Sequence, residues 1–144
     1  MKQGEGQQCL LVEKEDDIFQ AMDVTERIAG ELGFLKDDKL YLRLATEEAC
    51  MNAYEYCKKT KQVGFEIWWN TNRDMLSIYL KHKGKKFNVH VNNDEINVGL
   101  RGRGLQLIVN LMDHVGVEEN GDYVQFSMRK YVNNKRQHEG NGIL

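Results

Sequence analysis

Two short stretches of this chain carry residue types that can do chemistry. Glu48 and Asn52 stand four apart in Thr46-Glu47-Glu48-Ala49-Cys50-Met51-Asn52-Ala53. That run reads as helix, so both side chains project from one helical face. The amide oxygen of Asn52 suits magnesium, which takes one or two protein oxygens and fills its other positions with water and phosphate. Glu48, one turn away, is placed to accept a proton from an attacking hydroxyl or water. Downstream lies Arg101-Gly102-Arg103-Gly104-Leu105. Its glycines let backbone approach a ligand and lead into a helix N-terminus, where free N–H groups and the helix dipole favour phosphate. Together the two stretches suit a magnesium–nucleotide site. Each alone has a plainer reading: a solvated Glu–Asn pair on a helix surface, and a glycine loop ahead of a core helix. The second is neither a P-loop nor a full dinucleotide fingerprint.

The elements that must position these residues follow from periodicity. Residues 1–8 read as a loose start, and the apolar run from Cys9 to Val12 as an edge strand. From Asp16, the spacing of Ile18, Met22, Thr25, Ile28, Ala29 and Leu32 predicts a helix closed by Gly33. Asp37 or Asp38 is expected to cap a second helix with the stripe Leu42, Ala45, Ala49, Ala53, Tyr56, ending near Lys59. Residues 63–69 and 75–80 read as a hairpin around the turn chemistry of 70–74, and residues 81–101 as a glycine-, lysine- and asparagine-rich loop. Leu105, Leu107, Ile108, Leu111 and Met112 mark a third helix, and residues 115–117 and 123–128 a hairpin turning at 119–122. Strands arriving in hairpins, with helices grouped between them, predict an α+β two-layer sandwich, its helices on one face of a mixed, mainly antiparallel sheet. The expected organisation is one domain over 1–132 and a disordered tail over 133–144.

Composition narrows the classes. A chain of 144 residues, 41% hydrophobic, can bury one core, and a formal charge of -2 gives no global reason to bind nucleic acid or an anionic membrane. No apolar run approaches the roughly 18 residues of a membrane span, and no signal peptide is readable, so a cytoplasmic location is expected. Cys50 and Cys57 are about 10 Å apart along one helix, beyond disulfide reach, so they and Cys9 read as reduced packing residues. His82, His90, His114 and His138 lack metal-ligand spacing. Trp68 and Trp69 are strand neighbours and must face opposite sides, one to the core and the other available for docking.

Glu48-Ala49-Cys50-Met51-Asn52-Ala53 resembles the N-box of the GHKL ATPase/kinase superfamily, and residues 102–113, from Gly102-Arg103-Gly104-Leu105 to Leu111-Met112-Asp113, resemble its G2 box. The combination is most similar to bacterial anti-sigma factor serine/threonine kinases of the RsbW and SpoIIAB type, over roughly residues 8–132. The resemblance implies a Bergerat ATP-binding fold. It further implies a partner-switching protein that binds a sigma factor, or uses ATP and magnesium to phosphorylate a serine on a small STAS-domain antagonist. It suggests a homodimer. Carried over, Glu48 is the general base, Asn52 the magnesium ligand, and Arg101, Gly102, Arg103, Gly104 and the amides around Leu105 hold phosphates.

The family's G1 box reads roughly Asp-x-Gly-x-Gly-Phe, its aspartate accepting from the adenine amino group. Aligned on Gly84 and Phe87, this chain supplies His82 for the aspartate and Lys86 for the second glycine, within Lys81-His82-Lys83-Gly84-Lys85-Lys86. A neutral imidazole still accepts one hydrogen bond, and His82 and Gly84 are carried over to the base end of the site. The stretch that would form the lid, 88–101, is short for the family. The basic loop reads either as a contact to triphosphate or an acidic partner, or as a solvated turn. Three functions follow: an ATP-dependent kinase of a partner switch, a nucleotide-silent module of the same fold that only docks proteins, and a module that takes another nucleotide or anion.

Overall fold

The structure, a computed structural model, describes residues 6–84 and 100–132, and of residues 100–105 the backbone. The expected lid over 88–99, Lys85, Lys86, Phe87 and the expected tail over 133–144 lie outside the described residues. The elements in chain order are β1 (Gly6–Val12), α1 (Glu15–Leu32), α2 (Lys36–Lys59), β2 (Phe65–Asn72), β3 (Met75–Lys83), α3 (Leu100–Leu111), β4 (His114–Asn120) and β5 (Tyr123–Tyr131).

The five strands form one sheet in the order β1-β2-β3-β5-β4. Every pairing is antiparallel, which puts the sheet at the antiparallel end of the expectation. The α+β layering follows from strand alternation. Phe65, Ile67 and Trp69 of β2, Leu76, Ile78 and Leu80 of β3, and Val124 and Met128 of β5 are buried beneath the helices. The other face carries the cross-sheet row Cys9, Trp68, Tyr79, Ser127, Gly116. Trp69 is therefore the core tryptophan and Trp68 belongs to the opposite face. From the helices, Ile18, Ala21, Met22, Ile28, Leu42, Ala45, Ala49 and Ala53 close the same core. The small alanine side chains let α2 press against the sheet.

Helix α1 ends as its sequence predicts. Gly33 adopts φ 92°, and the Gly33 and Phe34 N–H groups donate to the Gly30 and Ala29 carbonyls. At its start, the Asp17 carboxylate accepts from the backbone N–H groups of Glu13 and Lys14.

Several boundaries differ from expectation. The first strand begins at Gly6, because pairing with β2 runs the full length from Gly6 opposite Thr71 to Val12 opposite Phe65. Neither Asp37 nor Asp38 caps α2. The N-cap is Leu35, and both aspartates sit in the first turn, where the helix dipole favours them. Strand β2 omits Val63 and Gly64 and continues to Asn72, and β3 takes in Lys81, His82 and Lys83. Half of the basic loop is thus strand, held by β5 pairing from Lys81 opposite Gln125 to Lys83 opposite Tyr123. Cys9 is exposed rather than packed, since it lies on edge strand β1 facing away from the helices, whereas Cys50 and Cys57 are buried.

Candidate functional site

Glu48 and Asn52 lie on α2, both half-buried, on the flank of the helix that also carries Asp38. A buried lysine ties the start of this helix to the end of α3. Lys130, on the helix side of β5, donates from Nζ to the Leu111 carbonyl at 2.8 Å and stands 3.9 Å from Asp38 Oδ1. The C-terminus of α3 is therefore pinned beside the N-terminus of α2. Counting about 1.5 Å per residue from that contact, the first turn of α3 lies roughly 16 Å away, and Glu48–Asn52 lie roughly 15–21 Å along α2. Helices α2 and α3 pack against each other.

Gly102 and Gly104 are placed differently from expectation. Helix α3 begins at Leu100, so Arg101, Gly102, Arg103, Gly104 and Leu105 lie inside its first turns rather than in a loop ahead of it. Glycine tolerates helical backbone at a cost of about 1 kcal/mol relative to alanine. Of Arg101, Arg103 and Leu105 the structure places the backbone. The Leu111-Met112-Asp113 end has a structural role: the Tyr131 N–H donates to Asp113 Oδ2 at 2.8 Å and the Asp113 N–H to the Arg129 carbonyl at 2.9 Å, binding the turn after α3 to β5.

One turn beyond Asn52 stands Tyr56, whose ring lies against His82 with centroids 4.6 Å apart and planes at 33°. His82 is the last helix-side residue of β3, opposite the buried Val124. Its Nδ1 lies 3.0 Å from the Lys83 carbonyl. Lys83 itself is held at both backbone groups by one side chain: its N–H donates to Gln62 Oε1 at 3.1 Å, and its carbonyl accepts from Gln62 Nε2 at 2.8 Å. Burial holds the His82 pKa below its ordinary value, with the hydrogen bond to Lys83 acting in the opposite sense. After Lys83 comes Gly84, where a Cβ would stand 2.8 Å from the Tyr56 hydroxyl, so that the tyrosine side chain would have to shift.

Comparison with known proteins agrees with this architecture. The model of the histidine kinase-like ATPase domain matches residues 11–130. The chain belongs to the histidine kinase-like ATPase domain family. Among curated relatives, the serine-protein kinase RsbW of Bacillus licheniformis is 30% identical over 129 residues, covering 81% of this chain and 79% of that protein. The serine-protein kinase RsbW of Bacillus subtilis (strain 168) is 29% identical over 122 residues, covering 76% and 74%. In three dimensions the chain superposes with a TM-score of 0.64 on a chain of the SiaB–SiaC complex from Pseudomonas aeruginosa, over 89% of this chain and 91% of that one. At 12% identity that likeness concerns the fold alone.

The fold of the histidine kinase-like ATPase family thus accounts for the α+β layering. Tyr56, Gln62 and Lys130 were not singled out from sequence as parts of the site. Tyr56 was legible as the i+4 neighbour of Asn52, but its place in the apolar stripe read as core. Gln62 and Lys130 carried no local signal, since each acts on backbone far away in the chain. No helix of the described residues is long and apolar enough to cross a membrane.

Proposed function

We propose that this chain is an ATP-dependent serine kinase of a bacterial partner switch, binding ATP and magnesium and phosphorylating a STAS-domain antagonist of a sigma factor. The observation that supports this reading is the pair Glu48 and Asn52, four apart on α2, the helix against which α3 packs, in a chain whose curated relatives are serine-protein kinases. The half-buried Asn52 carboxamide offers one neutral oxygen, which fits magnesium's habit of keeping water and phosphate for its other positions. Bound there, the ion supplies charge neutralisation at the phosphates.

The chain's own residues supply the rest. Backbone amides at the start of α3 hold phosphate, and Glu48 accepts the proton of the partner's serine hydroxyl. As the serine oxygen bonds to the γ-phosphorus, the bond from that phosphorus to the bridging oxygen breaks and ADP leaves. Positioning and charge stabilisation carry most of such a transfer. Sigma-factor binding, a homodimer and a cytoplasmic location belong to the same proposal.

A second reading has its own support. His82 stands where the family's G1 box has an aspartate, which favours a nucleotide-silent module that keeps the fold for docking. Labelled ATP incubated with the protein and a STAS-domain partner separates the two. Phosphate transfer to the partner, lost in Glu48→Gln, supports the kinase. Absence of both transfer and nucleotide binding at millimolar ATP supports the silent module.

A further inference from the structure

The three helices pack on one face of the sheet, and no helix of the described residues covers the other. Strand alternation puts Trp68 of β2 and Tyr79 of β3 at the middle of that open face, opposite each other. In the next row, Arg129 of β5 stands between Ser77 of β3 and His114 of β4. Its Nε donates to Ser77 Oγ at 3.2 Å, and Ser77 is buried. No ion pair and no other hydrogen bond reaches the Arg129 side chain from the described residues. The fork formed by Nη1 and Nη2 is left to face a ligand.

The acids of this face stand elsewhere. Glu66 lies opposite Lys81 and accepts from Trp68 Nε1 at 2.9 Å, and Glu118 lies opposite Gln125. Both are four residues along the strands from the row of Arg129, about 13 Å. Asp113, next to that row, accepts from the Tyr131 N–H at 2.8 Å. Arg129 is therefore a half-buried cation whose charge the sheet leaves uncompensated. By alternation the face carries Arg129, Lys81 and Lys83 against Glu66 and Glu118, an excess of positive charge. A second copy laid on this face sets that excess against itself. An acidic partner neutralises it.

We propose that the open face of the sheet docks an acidic segment of a partner protein. A carboxylate of that segment seats in the Arg129 fork, where two parallel N–H···O bonds hold it, and its apolar side chains lie on Trp68 and Tyr79. Tryptophan, tyrosine and arginine are the side chains that carry most of the binding energy where they cluster at an interface. Diagonal to Arg129 the face has an opening at Gly116, where a Cβ would meet Ser127 Oγ at 3.4 Å and His114 Nε2 at 3.6 Å. The surface lies on the far side of the sheet from α2, so a segment docked here leaves Glu48 and Asn52 uncovered. Docking and the nucleotide reading are thus separate.

The test selects short peptides from a random displayed library on the immobilised full chain, then measures the binders by calorimetry. Peptides rich in aspartate and glutamate with interspersed apolar residues are expected. Arg129→Gln is expected to weaken them about tenfold or more, and Arg129→Lys, which keeps the charge without the fork, by less. Binders without acidic residues, affinities that survive Arg129→Gln, or a selection that yields no binder overturn the proposal. Nitrogen-15 spectra of the unaltered protein read the contact without any variant. The Arg129 Nε–H signal is expected to move on adding the selected acidic peptide, and an unmoved signal overturns the docking. Sedimentation tests the other occupant: a dimer that Trp68→Glu dissociates shows a second copy on this face and overturns the acidic partner.

Discussion

The hydroxyls of Thr25 and Thr46 meet 2.9 Å apart, fully buried, between α1 and α2. They are the middle of a directed chain. Trp69 Nε1–H donates to Thr25 Oγ1 at 2.8 Å, Thr25 donates to Thr46, and Thr46 donates to the Leu42 carbonyl at 2.8 Å. Each hydroxyl gives one proton and receives one, so a sheet tryptophan and both helices are locked by a single satisfied network. Thr46 lies two residues before Glu48, which makes this lock the nearest rigid support of the candidate base.

Thr25→Val removes the acceptor of the buried Trp69 N–H and the donor to Thr46. The expected cost is about 1–3 kcal/mol, read as a lower urea midpoint with an unchanged slope. Thr25→Ser keeps the hydroxyl and loses less. A Thr25→Val midpoint equal to that of the unaltered protein would contradict the lock.

Lys130→Met should strike at the α2–α3 junction. It leaves the Leu111 carbonyl without its lysine donor and Asp38, 10% exposed, without its cation. Removing one member of a buried pair costs about 3–5 kcal/mol. The double variant Asp38→Asn, Lys130→Met should recover part of that loss, because the carboxylate charge is then removed together with the ammonium that faces it. Simple additivity in thermal or urea unfolding would show that the two residues do not act as a pair.

The three thiols should differ in reactivity. Burial pushes the Cys57 thiol up to about 11 and raises Cys50 still further, while Cys9 is exposed on the edge strand. A disulfide reagent at mild alkaline pH should titrate one thiol in the folded protein and three after denaturation. Cys9→Ser should remove the fast phase, and a surviving fast phase would place the accessible thiol elsewhere.

His82 should contribute a pH-dependent part of the stability. Burial lowers its folded pKa beneath the unfolded value near 6.5. Between those two values the unfolded chain binds more protons than the folded one, so stability rises with pH there. The contribution is complete above about 6.5 and is lost as pH falls through that value toward the folded pKa. Urea midpoints measured at several pH values from 8 to 5 should drop more steeply in the unaltered protein than in His82→Phe. Parallel curves would show that His82 is not held neutral by the fold.

Local chemistry made much of the chain legible. The helical spacing of Ile18 to Leu32, Gly33 as its terminator and the end of α2 at Lys59 are all local consequences of periodicity and capping. The same locality explains the misplaced boundaries. Asp38 looked like a cap because its partner, Lys130, lies on the last strand, and Lys81 to Lys83 looked like loop because only pairing with β5 makes them strand. Residues 102–104 read as loop because glycine has a poor helix propensity, which tertiary packing against α2 overrides.

By itself the sequence determined the α+β class, the helix that carries Glu48 and Asn52, and the family those residues resemble, since side chains four apart on one helix need no distant partner to share a face. Only the tertiary structure decided how the end of α3 is tied to the start of α2, which tryptophan enters the core, and how the end of β3 is held. Those depend on Lys130, on the side of the sheet the helices cover, and on Gln62. Each is a contact between groups far apart in the chain, and a hydrogen bond of that kind is specified by where the fold brings its partners, not by the residues next to them.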